Sequence, residues 1–145
     1  MSRSQNPNEF LVAAQDTFGS AKVLLDKGDV FQWFMAAFLT HLAVELLLKS
    51  AIISSKKAHT GHVVKDLFVR SGLKDKGFAL STGDEQILSE LDRYHKMRYP
   101  DQSWNLQGLA PDEPAGIDDD DINLAMDFYK RLEAIIIQDV IEPKK

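Results

Sequence analysis

The residues best placed for chemistry are His41 and Glu45, which stand inside an otherwise apolar stretch of the sequence. They lie four positions apart, so on a helix the imidazole and the carboxylate project side by side. Such a pair can ligate a metal ion. Metal sites in helical bundles take further ligand motifs from facing helices, however, and the sequence offers no second motif of that kind. We therefore expect a hydrogen-bonded core pair and no metal.

A second candidate segment ends a predicted helix and contains Tyr94, Arg98, Tyr99 and Asp101. Tyr94 and Arg98 share a helix face with apolar residues, which directs the guanidinium toward the core. A guanidinium there needs a carboxylate, and Glu45 is the expected partner. Alternatively, the segment borders a polar cleft in which Arg98 holds a phosphate. Ion-pair scaffolding and ligand binding both remain open at this point.

The other polar residues suggest structural roles. His62 follows Gly61 at a predicted helix start, where it is expected to cap the helix or lie in its first turn. His59 and His95 are expected at the surface. The aspartates at 118–121 are expected to complement a helix dipole rather than to bind a cation. The sequence contains no Gly-rich phosphate loop, His-Glu-x-x-His or Gly-x-Ser-x-Gly motif, so no catalytic residue is assigned.

The elements that must position these residues are helices. Residues 31–53 are apolar on every face of a 3.6-residue period, which predicts a central helix covered by others. Periodicity and capping signals predict helices at 6–27, 30–55, 61–71, 82–99 and 118–141, with a loop at 100–117. Thr82 and Glu85 fit a capping box, and Gly72 with Leu73 fits a Schellman cap. The predicted fold is a single all-α domain over 1–145, an up-and-down bundle of four longer helices plus one short helix.

Composition excludes several classes of protein. The chain has 145 residues, no cysteine and a net charge of -5. Disulfides and cysteine chemistry are therefore absent, and the net charge gives no long-range attraction for duplex nucleic acid, which leaves only a local basic patch formed by dimerisation as an alternative. Residues 31–53 are long enough to cross a bilayer, but polar groups in nearly every turn favour a core helix over a membrane span. We expect a cytoplasmic protein without membrane association.

Three sequence blocks together resemble the HEPN domain, the higher-eukaryote and prokaryote nucleotide-binding family. They are AVELLLKSAI (43–52), GHVVKDLF (61–68) and YHKMRYPD (94–101). The resemblance implies an up-and-down helical bundle. Many HEPN proteins are metal-independent ribonucleases that act as dimers, with the active site at the dimer interface. Their signature is an arginine followed, after four to six residues, by a histidine.

This chain departs from that signature, because the positions counted from Arg98 hold Ser103, Trp104 and Asn105. The resemblance therefore implies a non-nuclease branch. The resemblance implies that such a protein is a homodimeric nucleotide-binding or interaction module, or the partner of a small nucleotidyltransferase in a toxin-antitoxin or defence-type pair. RNA is not an expected partner, and no cofactor is expected beyond a nucleotide of unknown identity.

The resemblance also implies roles for individual residues. The motif Tyr-x-x-x-Arg-Tyr matches Tyr94, Arg98 and Tyr99, which would contact the phosphates and base, with Glu45 orienting Arg98. Two alternatives remain. One is a metal-independent ribonuclease toxin in which a displaced histidine, such as His95, replaces the missing one. The other is a structural subunit that binds another protein and no ligand.

Overall fold

A computed structural model describes residues 6–27, 30–95 and 119–138. These ranges contain a short 3-10 helix at Leu73–Lys76 and no strand. The α-helices are α1 (Pro7–Lys27), α2 (Val30–Ser54), α3 (Val64–Ser71), α4 (Thr82–His95) and α5 (Asp119–Ile136). The predicted all-α bundle of four longer helices and one short helix is confirmed.

Helix α2 is the centre of the bundle and packs against α1, α3, α4 and α5. Small side chains on it, such as Ala43 and Ala51, are fully buried and let neighbouring helices approach closely. Larger ones, such as Leu47, Leu48 and Ile52, are equally buried. Because apolar residues occur on all its faces, α2 is stable only when other helices cover it.

Helices α1 and α5 each contribute one apolar face. On α1 the buried residues Leu11, Ala14, Ala21 and Leu25 recur at helical spacing, and Phe18 lies on the same face. The Phe18 ring stacks on Tyr129 of α5, with ring centroids 4.2 Å apart. This aromatic contact holds α5 against α1 and covers the core between the two helices.

One helix in the described ranges has the length and composition of a membrane span. It corresponds to Gln32–Ser54, and 72% of its apolar window is buried inside the protein. The core helix of a bundle has the same composition, and that burial is what a core helix shows.

Helix α4 begins at Thr82, as predicted, but its N-terminal cap differs from the predicted one. The capping box is formed by Ser81 and Asp84, one residue before the predicted pair Thr82 and Glu85. The Asp84 amide donates to Ser81 Oγ at 3.0 Å, and the Ser81 amide donates to an Asp84 carboxylate oxygen at 3.2 Å. Asp84 also accepts two hydrogen bonds from Arg131 of α5, which stabilises the cap at Ser81 and Asp84.

Helix α3 begins at Val64, three residues after the predicted start at Gly61. Gly61 has φ +104°, which a right-handed helix does not allow. The predicted C-terminal cap is present, since Gly72 adopts the left-handed conformation with φ +72° and donates to the Val69 carbonyl. Leu73 is fully buried, as the cap requires.

Candidate functional site

Three of the four histidines converge with Glu45 where α2, the link before α3 and the end of α4 meet. The ring centroid of His95 lies 4.9 Å from that of His41 and 5.1 Å from that of His62. We call His41, Glu45, His62 and His95 the histidine cluster. His95 is half-buried rather than on the surface, which corrects the expectation for this residue.

His41 is the innermost member of the cluster and is fully buried. Its Nε2 lies 3.0 Å from the backbone carbonyl oxygen of His62, which can only accept, so Nε2 carries the proton. Burial lowers the pKa of His41 to about 4, although Glu45 acts in the opposite direction. At neutral pH the ring is therefore uncharged, and Nδ1 bears a lone pair. That Nδ1 lies 3.8 Å from Oε1 of Glu45.

Glu45 occupies the middle of the cluster and is only 4% exposed. Its Oε2 accepts hydrogen bonds from Lys49 Nζ at 3.0 Å and from His62 Nδ1 at 2.9 Å. Burial alone raises the pKa of Glu45, but these two hydrogen bonds outweigh it, and the pKa lies below its usual value. Glu45 is therefore a carboxylate at neutral pH. Its predicted contact with Arg98 lies outside the described residues and stays a prediction.

Asp92 of α4 holds the His62 segment in place. One carboxylate oxygen accepts the Val64 amide at 2.7 Å, and the other faces the Lys65 amide at 3.5 Å. Asp92 thereby caps α3 from a position 28 residues later in the chain. Burial raises its pKa, although these hydrogen bonds oppose the shift. No local pattern in the sequence indicates this cap, since the two partners are far apart in the chain.

His62 therefore does more than the predicted capping role. Its carbonyl fixes the proton of His41, and its ring donates to Glu45. The side chain is 55% exposed, so it forms the solvent-facing side of the cluster. A helix-start histidine after glycine was the available signal, but nothing in the sequence showed that it would meet His41.

The other predicted segment is only partly within the described ranges. Tyr94 is fully buried, and the guanidinium carbon of Arg93 lies 5.6 Å from its ring centroid. The Tyr94 ring thus belongs to the core and offers no open face for stacking on a base. The remaining candidates, Arg98, Tyr99 and Asp101, lie outside the described residues, and their roles stay predictions.

A cleft of about 520 Å³ lies between α4 and α5, away from the histidine cluster. Its lining includes Ile87, Leu124 and the ion pair of Asp84 with Arg131. The guanidinium of Arg131 donates to both carboxylate oxygens of Asp84, and the hydrogen bonds from Arg131 lower the pKa of this aspartate. Asp84 and Arg131 neutralise each other's charge. Asp84 also caps α4, and the ion pair links α4 to α5.

Comparison with known proteins identifies the type of domain. The sequence model of the HEPN domain family matches residues 8–137. The fold is similar to that in the crystal structure of TT1696 from Thermus thermophilus, with a TM-score of 0.64 and 23% sequence identity. That alignment covers 90% of this chain and 95% of the other, and at this identity it shows the fold alone. No curated protein shows significant similarity to this chain.

Proposed function

The chain belongs to the HEPN domain family, and on that premise we propose that it is a non-catalytic nucleotide-binding and interaction module. Family membership supports a nucleotide-binding or ribonuclease-type module in general. The proposed physiological role is that of partner to a small nucleotidyltransferase in a toxin-antitoxin or defence-type pair. A homodimer is part of this proposal.

The observation that carries the non-catalytic assignment is the missing signature histidine after Arg98, and the described arginines have structural partners of their own. Arg131 is bound to Asp84, and Arg93 pairs with Glu90 on the exposed side of α4. Arg70 donates to two backbone carbonyls of the link before α3. Cleavage of RNA without metal needs a proton-transfer group positioned beside the cation that holds the phosphate, and no histidine follows Arg98 at the spacing of the family signature.

The nucleotide site is proposed at Arg98, Tyr99 and Asp101. These residues follow His95 by three, four and six positions in the sequence. A guanidinium can hold a phosphate with two parallel hydrogen bonds, which favours Arg98 as the anchor. The buried Tyr94 would support this segment from the core rather than contact the ligand.

Thermal melts test this proposal. The purified protein is melted with adenine and guanine nucleotides, with and without magnesium, beside Arg98→Ala. A ligand at 100 times its Kd adds about 2.7 kcal/mol, which raises Tm by several degrees for a chain of this size. Arg93→Ala is the matched control, since Arg93 lies five positions earlier in the sequence and pairs with Glu90 on the exposed side of α4. A shift that survives in Arg98→Ala, or no shift with any nucleotide, contradicts the proposed site.

A ribonuclease is the second candidate, and one observation favours it. The rings of His62 and His95 stack 5.1 Å apart with an angle of 15° between their planes. Two imidazoles side by side can act as acid and base in RNA cleavage. Cleavage of a labelled RNA in the presence of EDTA that is lost in His95→Ala, but kept in His59→Ala, would establish this activity. No cleavage by the wild type would remove it.

The proposed dimer has its own measurement. Light scattering at micromolar concentration is expected to give twice the mass of the 145-residue chain. A monomeric mass would contradict the homodimer and leave the nucleotide site untouched.

A further inference from the structure

The geometry points to a binding site for a divalent transition metal ion, of which Zn²⁺ is the prototype, formed by His41, Glu45 and His95. Each of these residues offers one ligand atom, and the three atoms lie within 4.8 Å of one another. Two of the ligands come from α2, and the third comes from the end of α4. This inference does not depend on the proposed nucleotide site.

The observation that carries the inference is a pair of hydrogen-bond acceptors that face each other in the protein interior. Nδ1 of His41 has no hydrogen-bond partner among the described residues. Its nearest charged neighbour is Oε1 of Glu45, at 3.8 Å. The proton of the ring is on Nε2, so both facing atoms present lone pairs. Such an arrangement is unfavourable in a buried place unless a cation or a donor lies between them.

The surrounding hydrogen bonds are those that a metal site needs. Histidine ligands usually donate their second ring N–H to a carbonyl or carboxylate, which fixes the tautomer and orients the ring. His41 does this through Nε2 to the His62 carbonyl oxygen at 3.0 Å. The second oxygen of Glu45 is held by Lys49 and His62. These hydrogen bonds leave Nδ1 and Oε1, which lie 3.8 Å apart, as the ligand atoms of His41 and Glu45.

The ligand set selects the class of metal. Two imidazoles and one carboxylate form the His₂Glu set found in zinc sites that keep one position open, and imidazole also suits copper, iron and nickel. A tetrahedral ion with bonds of about 2.0–2.1 Å holds its ligand atoms roughly 3.3–3.5 Å apart. The side chains must therefore close by on the order of 1 Å, which small rotamer changes achieve. The side chain of His62 is 55% exposed, so solvent reaches the cluster on this side.

Calorimetric titration tests the site. The full-length protein is freed of metal with EDTA, exchanged into chelator-free buffer and titrated with ZnCl₂, with Co²⁺ absorption as a second signal. We expect one ion per chain and a visible Co²⁺ spectrum of tetrahedral type. His95→Gln should weaken binding by more than about 100-fold, since even residues outside the ligand set cost about 10–100-fold. His62→Gln should weaken it by about 10–100-fold through Glu45.

The control is His59→Gln, which removes the one histidine outside the cluster and should leave affinity unchanged. His95 is half-buried at the end of α4, so its replacement tests the site with less risk to folding than a change at His41. Binding that survives in His95→Gln would place the ion elsewhere, such as at the aspartates near the start of α5, and would overturn the inference. No binding by the wild type would also overturn it and indicate a buried water between His41 and Glu45. The titration contains no nucleotide, so its failure leaves the proposed nucleotide site standing.

Discussion

Replacing Glu45 with glutamine should destabilise the protein mainly through the lysine that it leaves behind. The carboxylate and Lys49 Nζ are 3.0 Å apart, and their side chains are only 5% and 12% exposed. Removing one partner of a buried ion pair costs about 3–5 kcal/mol, because the remaining charge is poorly solvated. Lys49 retains some access to water, which reduces the cost. We therefore expect a loss of about 2–3 kcal/mol, or roughly 6–12 °C in Tm.

A double-mutant cycle measured by urea unfolding tests this reasoning. Lys49→Met should cost less than Glu45→Gln, because Glu45 keeps its hydrogen bond from His62. The double variant no longer contains an unpaired ammonium, so its loss should be at least about 1 kcal/mol smaller than the sum of the single losses. Lys22→Met is the control, since its pair with Asp26 is 4.0 Å long and exposed, and it should change stability by less than about 0.5 kcal/mol.

Two results would refute the reasoning. Losses that add within about 0.5 kcal/mol would show that the carboxylate and the ammonium do not depend on each other. A loss in Lys22→Met as large as that in Lys49→Met would show that burial does not decide the cost. Either result would show that the buried ion pair of Glu45 and Lys49 does not explain the loss of stability in Glu45→Gln.

Two further predictions concern positions outside the cluster. Arg131→Gln should lose about 1–2 kcal/mol at pH 7, because half of the Arg131 side chain is exposed and the carboxylate of Asp84 is not. Arg131 lowers the folded-state pKa of Asp84 below the ordinary 3.8. The loss of stability in Arg131→Gln should therefore be constant above about pH 5 and shrink as the pH falls below 3.8. A loss that differs between about pH 8 and pH 5 in urea melts would contradict this. Gly72→Ala should lower the free energy of unfolding by about 1 kcal/mol, measured by thermal melting, because a φ of +72° is unfavourable for alanine. No atom lies within 4 Å of the new methyl group, so a steric clash does not add to this cost. Gly19→Ala, in α1 with equally open space, should gain about 0.5–1 kcal/mol, and the same sign for both glycines would refute the argument.

The helices and one of their caps could be predicted because their signals are local. Apolar residues recur at helical spacing on α1 and α5, and Gly72 followed by Leu73 marks a C-terminal cap within two residues. The sequence predicts the capping box of α4 one residue too late, and the reason is physical. Ser81 with Asp84 and Thr82 with Glu85 fit the pattern equally well, and only Arg131, far away in the chain, decides between them.

The candidate site was only half predictable for a related reason. The pair of His41 and Glu45 is visible from spacing on one helix, and so is the need for partners. Those partners proved to be Lys49 on the same helix and His62 from a separate segment. His95 carries no spacing relationship to His41, so a lone histidine at the end of a helix gave no reason to expect a cluster. Contacts between distant segments leave no local pattern in a single sequence.

The charges around the cluster connect the two proposals. Lys49 is hydrogen-bonded to Glu45, and the charge of Lys65 acts on the carboxylate of Asp92, so each lysine is offset by an acidic side chain. A phosphate approaching the cluster therefore meets no net positive charge from these residues. Under the two proposals, that charge comes from Arg98, which follows His95 by three positions in the sequence, or from a metal ion at His41. In the first case Arg98→Ala abolishes nucleotide binding with or without zinc. In the second case zinc and nucleotide strengthen each other's binding by the same factor.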